Sequence, residues 1–342
     1  MTGAARGETT WCRVKSEFAM SADILLVGID EAGYGPLLGP LVVSASVWEV
    51  REDLAERSLW EVLRASVTSS PQSRDRRVPV CDSKRLHHRA DGIGALERSA
   101  LAAVHAWRSL PESLGELLSL LNPGADRAFL AHPWYAELDV RLPVAADPGG
   151  VVIAGACLRR DGEAHGARLA GLMCESVPEG RYNQLVAATR NKASVLFTLT
   201  ARLMQRVAET WPGRRIRFLA DKHGGRGHYG DLLRRDFDER HLAVLEESAE
   251  WSAYELRGRD SIWHIGFAQG GEARHLPIAM ASIVSKYLRE LFMTAFNRFW
   301  AARVPGLAAT AGYYNDGLRF VEDVRPHLAR LGIEASQLVR IQ

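Results

Sequence analysis

The chain is short of cysteine and lysine, and it has no long apolar run. Its four cysteines, Cys12, Cys81, Cys157 and Cys174, are scattered without a Cys-x-x-Cys pair. That spacing argues against a zinc site and offers no disulfide framework. Only five of the 43 basic residues are lysines, namely Lys15, Lys84, Lys192, Lys222 and Lys286. Arginine's planar fork suits phosphate, but a compositional skew of this kind does not by itself indicate a ligand. No stretch approaches the ~20 apolar residues of a spanning helix, so no membrane partner is expected. A Ser-His-Asp order and a Walker-type phosphate loop are both missing. The formal net charge of +2 is too small to announce nucleic acid through the whole-molecule field.

What remains is an ordinary soluble composition: 342 residues, 47% hydrophobic and 25% charged. Residues 1–22 mix Arg6, Glu8, Arg13, Lys15 and Glu17 with no apolar core, unlike a secretory signal. They read as a flexible leader, with Met20 as an alternative start. Residues 23–342 read as a single domain, monomeric and, by default, cytoplasmic. Strands are expected on both sides of a Gly33–Pro40 bend, at 215–221, within 242–257 and at 262–267. Helical spacing is expected over 51–67, 183–209 and 278–299. Proline-rich 111–180 reads as an irregular insertion. Strands alternating with helices predict an α/β domain with a mixed sheet.

The apolar run Ile24–Ile29 ends in two adjacent carboxylates, Asp30 and Glu31, and then a glycine-rich bend. Two acids at the end of a core strand need compensation, either by a shared proton or by a cation. Oxygen-only ligands at a strand end suit Mg²⁺ or Mn²⁺ better than zinc. Asp221 repeats the pattern at the end of a second apolar strand, and Glu272 precedes the last long helical segment. Three or four acids converging from strand ends are what two-metal phosphodiester hydrolysis requires.

Five segments in order resemble the type 2 ribonucleases H, the ribonuclease HII family. Gly28-Ile29-Asp30-Glu31-Ala32-Gly33-Tyr34-Gly35 resembles its opening signature, and Asp82-Ser83-Lys84 its second motif. Asp221 resembles its third acid, Ala281–Lys286 its Ala-Ser-Ile helix, and Gly312–Asp316 its C-terminal Gly-Tyr element. The resemblance covers roughly 23–110 and 180–330. It implies a ribonuclease H-like fold, a mixed central sheet flanked by helices. It also implies a Mg²⁺- or Mn²⁺-dependent endonuclease acting on RNA–DNA hybrids or on ribonucleotides embedded in a DNA duplex.

Carried over position by position, Asp30, Glu31, Asp221 and Glu272 are the catalytic, metal-binding acids. Gly33, Tyr34, Gly35, Lys84, Lys286 and Tyr313 are the substrate contacts. The chain departs from the pattern at Tyr34, where the family has arginine or lysine, and at Glu272, where it has aspartate. It also departs at Glu290 and in the basic turn Lys222–Gly227, where His223 is a candidate proton relay. Two alternatives follow: a nuclease of this kind with an altered substrate, or a nucleic-acid binding module without catalysis.

Overall fold

The computed structural model describes residues 23–71, 76–87 and 92–341. The expected leader at 1–22, with Met20, lies outside them. Seven strands form one mixed sheet: β1 (Asp23–Ala32), β2 (Leu41–Arg51), β3 (Ala167–Val177), β4 (Ile216–Asp221), β5 (His241–Glu247), β6 (Trp251–Arg257) and β7 (Ile262–Ala268). Their spatial order is β3-β2-β1-β4-β7-β6-β5. The centre, β1, β4 and β7, is parallel, and antiparallel strands extend it on both sides. The α/β fold with a mixed sheet flanked by helices is therefore the one the chain adopts.

Alternation along β1 explains the two layers. Leu25, Val27 and Ile29 join a core under α3 (Glu179–Thr189) and α4 (Lys192–Thr210). Ile24 and Leu26 face the opposite core, which holds α1 (Gly94–Trp107), α2 (Pro148–His165) and the 26-residue α5 (Leu276–Ala301). A further helix, α6 (Tyr314–Leu328), packs against this second layer through Phe320 and Val324.

Gly28 is what lets α5 lie on β1: a Cβ there would fall 2.0 Å from the Pro277 carbonyl carbon. Beside it in register, buried Ser46 donates to the Pro277 carbonyl at 2.6 Å and accepts from Trp48 Nε1. The start of α5 is thus fixed on the sheet, and with it the path of the helix past the end of β1. A buried glutamate holds the other flank of α5. Glu97 accepts from the N–H groups of Val144, Ala145 and Ala146 and from the Tyr287 hydroxyl, which satisfies its oxygens without solvent.

Three expectations differ from what forms. Residues 51–67 carry only a 3₁₀ turn, Glu52–Leu54, and one helical turn, Leu59–Val62. Their apolar residues still reach the core, because consecutive turns space them much as a helix would. The segment 183–209 is two helices. Arg190 takes a left-handed conformation at φ 52°, and the Asn191 side chain caps α4 by accepting from Ala193 and Ser194. Much of 111–180 is regular, holding helix Leu114–Leu121, α2 and the sheet strand β3, while the stretch between the two helices carries only short turns. Asp147 caps α2, Pro148 opens it, and Gly166 ends it at φ 69°.

Candidate active site

The C-terminal ends of β1 and β4 are neighbours in the parallel centre of the sheet, paired as far as Ile29 and Ala220. The next residue on each strand is an acid, Asp30 and Asp221. Beyond that pair β1 continues against β2 alone, through Ala32 opposite Val42. Its free side opens where the two carboxylates stand. The expected bend comes after Ala32, at Gly33 with φ 88°. Glu31 therefore remains in the strand, on the face opposite Asp30, and its N–H donates to Asp30 Oδ1.

The helix α5 supplies the supports. Ser285 donates to the Asp30 carbonyl at 3.0 Å. Ser282 donates to Glu272 Oε2 at 3.0 Å and lies 3.1 Å from the Ser83 hydroxyl. Glu272 sits on a 3₁₀ turn, Gly271–Ala273, whose first N–H donates to Asp221 Oδ1 at 2.6 Å. Asp82 caps the short helix Ser83–Leu86 through the Lys84 N–H. Lys84 draws down the pKa values of both Asp221 and Glu272.

All four acids resist ionisation. Burial raises Asp30 well above the usual carboxylate range, and Glu31, Asp221 and Glu272 raise it further. Burial and then Asp221 lift Glu31 to about 7. Burial is also the first cause for Asp221 and for Glu272, against the lowering effects of Gly271 and Ser282 respectively. Like charges gathered out of solvent behave this way. The cluster is costly unless a proton or a cation offsets it.

The donor chemistry fits a hard divalent cation: carboxylate oxygens only, from two strand ends and an adjoining turn. Among the described residues, no three His, Cys, Asp or Glu side chains close on a single point as a ready-made cage. Mg²⁺ ordinarily keeps several waters and takes one or two carboxylates together with substrate phosphate oxygens, so an open arrangement suits it.

The substrate-contact candidates distribute around this centre. Gly35 is exposed with nothing within 4 Å of a Cβ built there, whereas Gly33 is closely packed on the Pro40 carbonyl. Tyr34 is half-buried, with the Lys192 ammonium 5.4 Å from its ring centroid. Tyr313 is 49% exposed at the N-terminal cap of α6, 5.9 Å from Lys286 Nζ. Lys286 is ion-paired with Glu290 at 2.5 Å, and both side chains are largely buried, so the lysine's charge is already committed.

The basic turn after Asp221 differs most from expectation. Lys222 is buried and donates to the Ser248 and Ala249 carbonyls. His223 is enclosed by Phe197, Tyr229 and Phe267, and burial lowers its pKa to about 3. A histidine held neutral in an aromatic core is not placed to relay protons.

Sequence reasoning passed over Ser282 and Ser285 as bearers of the acids, although i and i+3 on one helix face was a usable signal. It also missed Arg340. This buried side chain donates to the Gly33 and Tyr34 carbonyls and lies 3.9 Å from the Tyr182 ring centroid.

A scan against protein-family models finds no match, and a search of curated proteins finds none either. Solved structures do align along most of the chain. A point mutant of Bst ribonuclease HIII is 15% identical with a TM-score of 0.46, over 93% of this chain and 66% of that one. The ribonuclease HII of Archaeoglobus fulgidus, solved in complex with PCNA, is 13% identical with a TM-score of 0.43, over 93% and 95%. The ribonuclease H2 of Pyrococcus horikoshii OT3 is 14% identical with a TM-score of 0.43, over 92% of each. At such identities and scores these likenesses assign the chain no chemistry.

Proposed function

We propose that the chain is a divalent-metal-dependent endonuclease of the ribonuclease H kind, hydrolysing the RNA strand of RNA–DNA hybrids or ribonucleotides embedded in a DNA duplex. The observation that carries this reading is the acid cluster: Asp30 and Asp221 on adjacent parallel strand ends, with Glu31 and Glu272 within their field. Mg²⁺ or Mn²⁺, bound through these oxygens, would supply a polarised phosphoryl oxygen and an acidified water.

The chain's own groups do the positioning. Asp30, Asp221 and Glu272 would hold the metal from one side of the sheet end, and Glu31 from the other face. Ser282 fixes the Glu272 carboxylate, and Gly271 fixes that of Asp221. Lys84 partly offsets the charges of Asp221 and Glu272 before a cation arrives. Gly35 leaves its backbone open to a close-approaching strand. Exposed Tyr313 offers a flat surface for a sugar or base.

Tyr34 favours a second reading, a nuclease of the same chemistry with an altered substrate, because an aromatic side chain stands in the glycine bend where the resemblance has a cation. Cleavage of three labelled duplexes with Mg²⁺ or Mn²⁺ tests both readings: DNA with one ribonucleotide, a continuous RNA–DNA hybrid, and plain DNA. Cutting of either ribonucleotide-containing duplex, lost in Asp30→Asn, is the expected result. Cutting of plain DNA alone favours the second reading. No cutting of any duplex refutes both and leaves a binding module.

A further inference from the structure

Near Tyr34, at the end of the strand that bears Glu31, Lys192 and Arg226 have no carboxylate within ion-pair distance among the described residues. Other basic side chains are committed to carboxylates, as Arg206 to Glu175, Arg217 to Glu56 and Arg319 to Asp316 show. Lys192 is also badly placed for helix stability. It is the first residue of α4, where the positive end of the helix dipole opposes a cation, and no acid occupies that first turn. Its ammonium instead stands over the Tyr34 ring, half-buried and 5.4 Å from the centroid.

Arg226, in the turn that follows Asp221, acts on the same tyrosine through its charge. Its charge lowers the pKa of the Tyr34 phenol against burial, and its Nε is buried without a hydrogen-bond partner. Lys222 and His223, in the same turn, are occupied by carbonyls and aromatic packing. Arg226 is thus the basic group of that turn with donors to spare. Lys192 stands on the Tyr34 ring and Arg226 lies within the electrostatic field of its phenol, and Tyr34 is one residue from exposed Gly35 and three from Glu31.

We propose that Lys192 and Arg226 are phosphate-binding residues that grip the backbone of the nucleic-acid substrate beside Tyr34, which holds the lysine ammonium in readiness on its ring. The inference rests on the nuclease reading and names where that site takes its substrate's charge. Phosphate is the matching chemistry because two separate cations and an open glycine backbone suit a repeating anion that carries no sequence information.

The test is the salt dependence of duplex binding by fluorescence anisotropy. The probe is a labelled DNA duplex with one embedded ribonucleotide, used with Mg²⁺ in an Asp30→Asn background that leaves it uncut. Over roughly 50 to 200 mM salt, the slope of log K against log salt should fall by about one in Lys192→Gln. It should fall by about two when Arg226→Gln is added, and return with Lys192→Arg. Affinity should drop about 3- to 10-fold per lost cation. Because Lys192 is half-exposed and opposes the helix dipole, its variant should melt no lower than the parent. An unchanged slope in folded Lys192→Gln overturns the inference while leaving the nuclease reading intact, as does weakened binding with the parent slope. Failure of the Asp30→Asn parent to bind any duplex overturns both.

Discussion

Arg340 donates to the carbonyl of Gly33 across 307 residues of chain. Its guanidinium also reaches the Tyr34 carbonyl and packs on the Tyr182 ring, while its own N–H donates to the Leu37 carbonyl. From the other side, Arg289 donates to the Leu38 carbonyl, and Glu179 accepts from the Gly39 N–H. The glycine bend is therefore braced from beneath. Arg340→Ala should cost about 2–4 kcal/mol, through lost charged hydrogen bonds and ring packing. It should also lower kcat more than it raises KM, because a loosened bend misplaces the reacting strand. Urea unfolding and steady-state kinetics check the two parts, and unchanged kinetics in a destabilised variant would reduce Arg340 to a structural role.

The raised carboxylates give a pH dependence with a definite sign. A folded Glu31 that titrates near 7, against 4.5 for the unconstrained side chain, holds its proton more tightly than the unfolded chain does. Metal-free stability attributable to this group is therefore fully present below about 4.5 and is lost as pH rises through about 7. Buried His223 and His275, with pKa values lowered to about 3 and 4, act in the opposite sense below 6.5. The difference between wild type and Glu31→Gln isolates the carboxylate. In chelator at pH 8, Glu31→Gln should melt about 2 °C or more above wild type. At pH 4.5 the two should coincide, and saturating Mn²⁺ should raise wild type more than the variant. Equal melting at both pH values would remove Glu31 from the cluster.

Much of this was legible in the sequence, because the informative residues are locally expensive. Asp30, Glu31 and Asp221 each interrupt an apolar strand, and the positive φ values at Gly33 and Gly39 fall where glycine stands in a bend. Periodicity misled where caps override it. Asn191 ends one helix and starts another without disturbing the apolar spacing, and the Asp147-Pro148 start of α2 was hidden among prolines read as loop. The Arg340 contact lay beyond reach for another reason. It joins the two ends of the described chain, and no local pattern encodes a partner some 300 residues away.

The docking of α5 makes a structural prediction. At Gly28, a methyl group would meet the Pro277 carbonyl carbon at 2.0 Å and the Ile278 nitrogen at 2.2 Å, backbone atoms that no rotamer change can move. Gly28→Ala must push α5 off the sheet, at a cost of about 3 kcal/mol or more. The same shift carries Ser282 and Ser285 away from the acids, so activity should fall along with the unfolding midpoint. A variant with wild-type stability would show that α5 is not seated on β1 in this way.

Ser282 separates charge from placement at the acid cluster. Its hydroxyl donates to Glu272, supports Asp30 and touches Ser83, so it bridges three segments of the site. Asp30→Asn and Asp221→Asn remove charge at the strand ends and should each reduce cleavage about 10³-fold. Glu272→Gln keeps an oxygen for Ser282 but loses the charge, and should cost about 10²-fold, recovered in part at higher Mn²⁺. Ser282→Ala leaves every charge in place and removes only the hydroxyl that holds the Glu272 carboxylate, supports Asp30 and meets Ser83. It should cost about 10-fold in kcat with no change in the metal concentration at half-maximal rate. If Ser282→Ala instead weakens the metal dependence as strongly as Glu272→Gln does, the hydroxyl acts on metal affinity rather than on geometry. If neither variant affects the rate, Glu272 is outside the active site and the cluster reduces to the acids of β1 and β4.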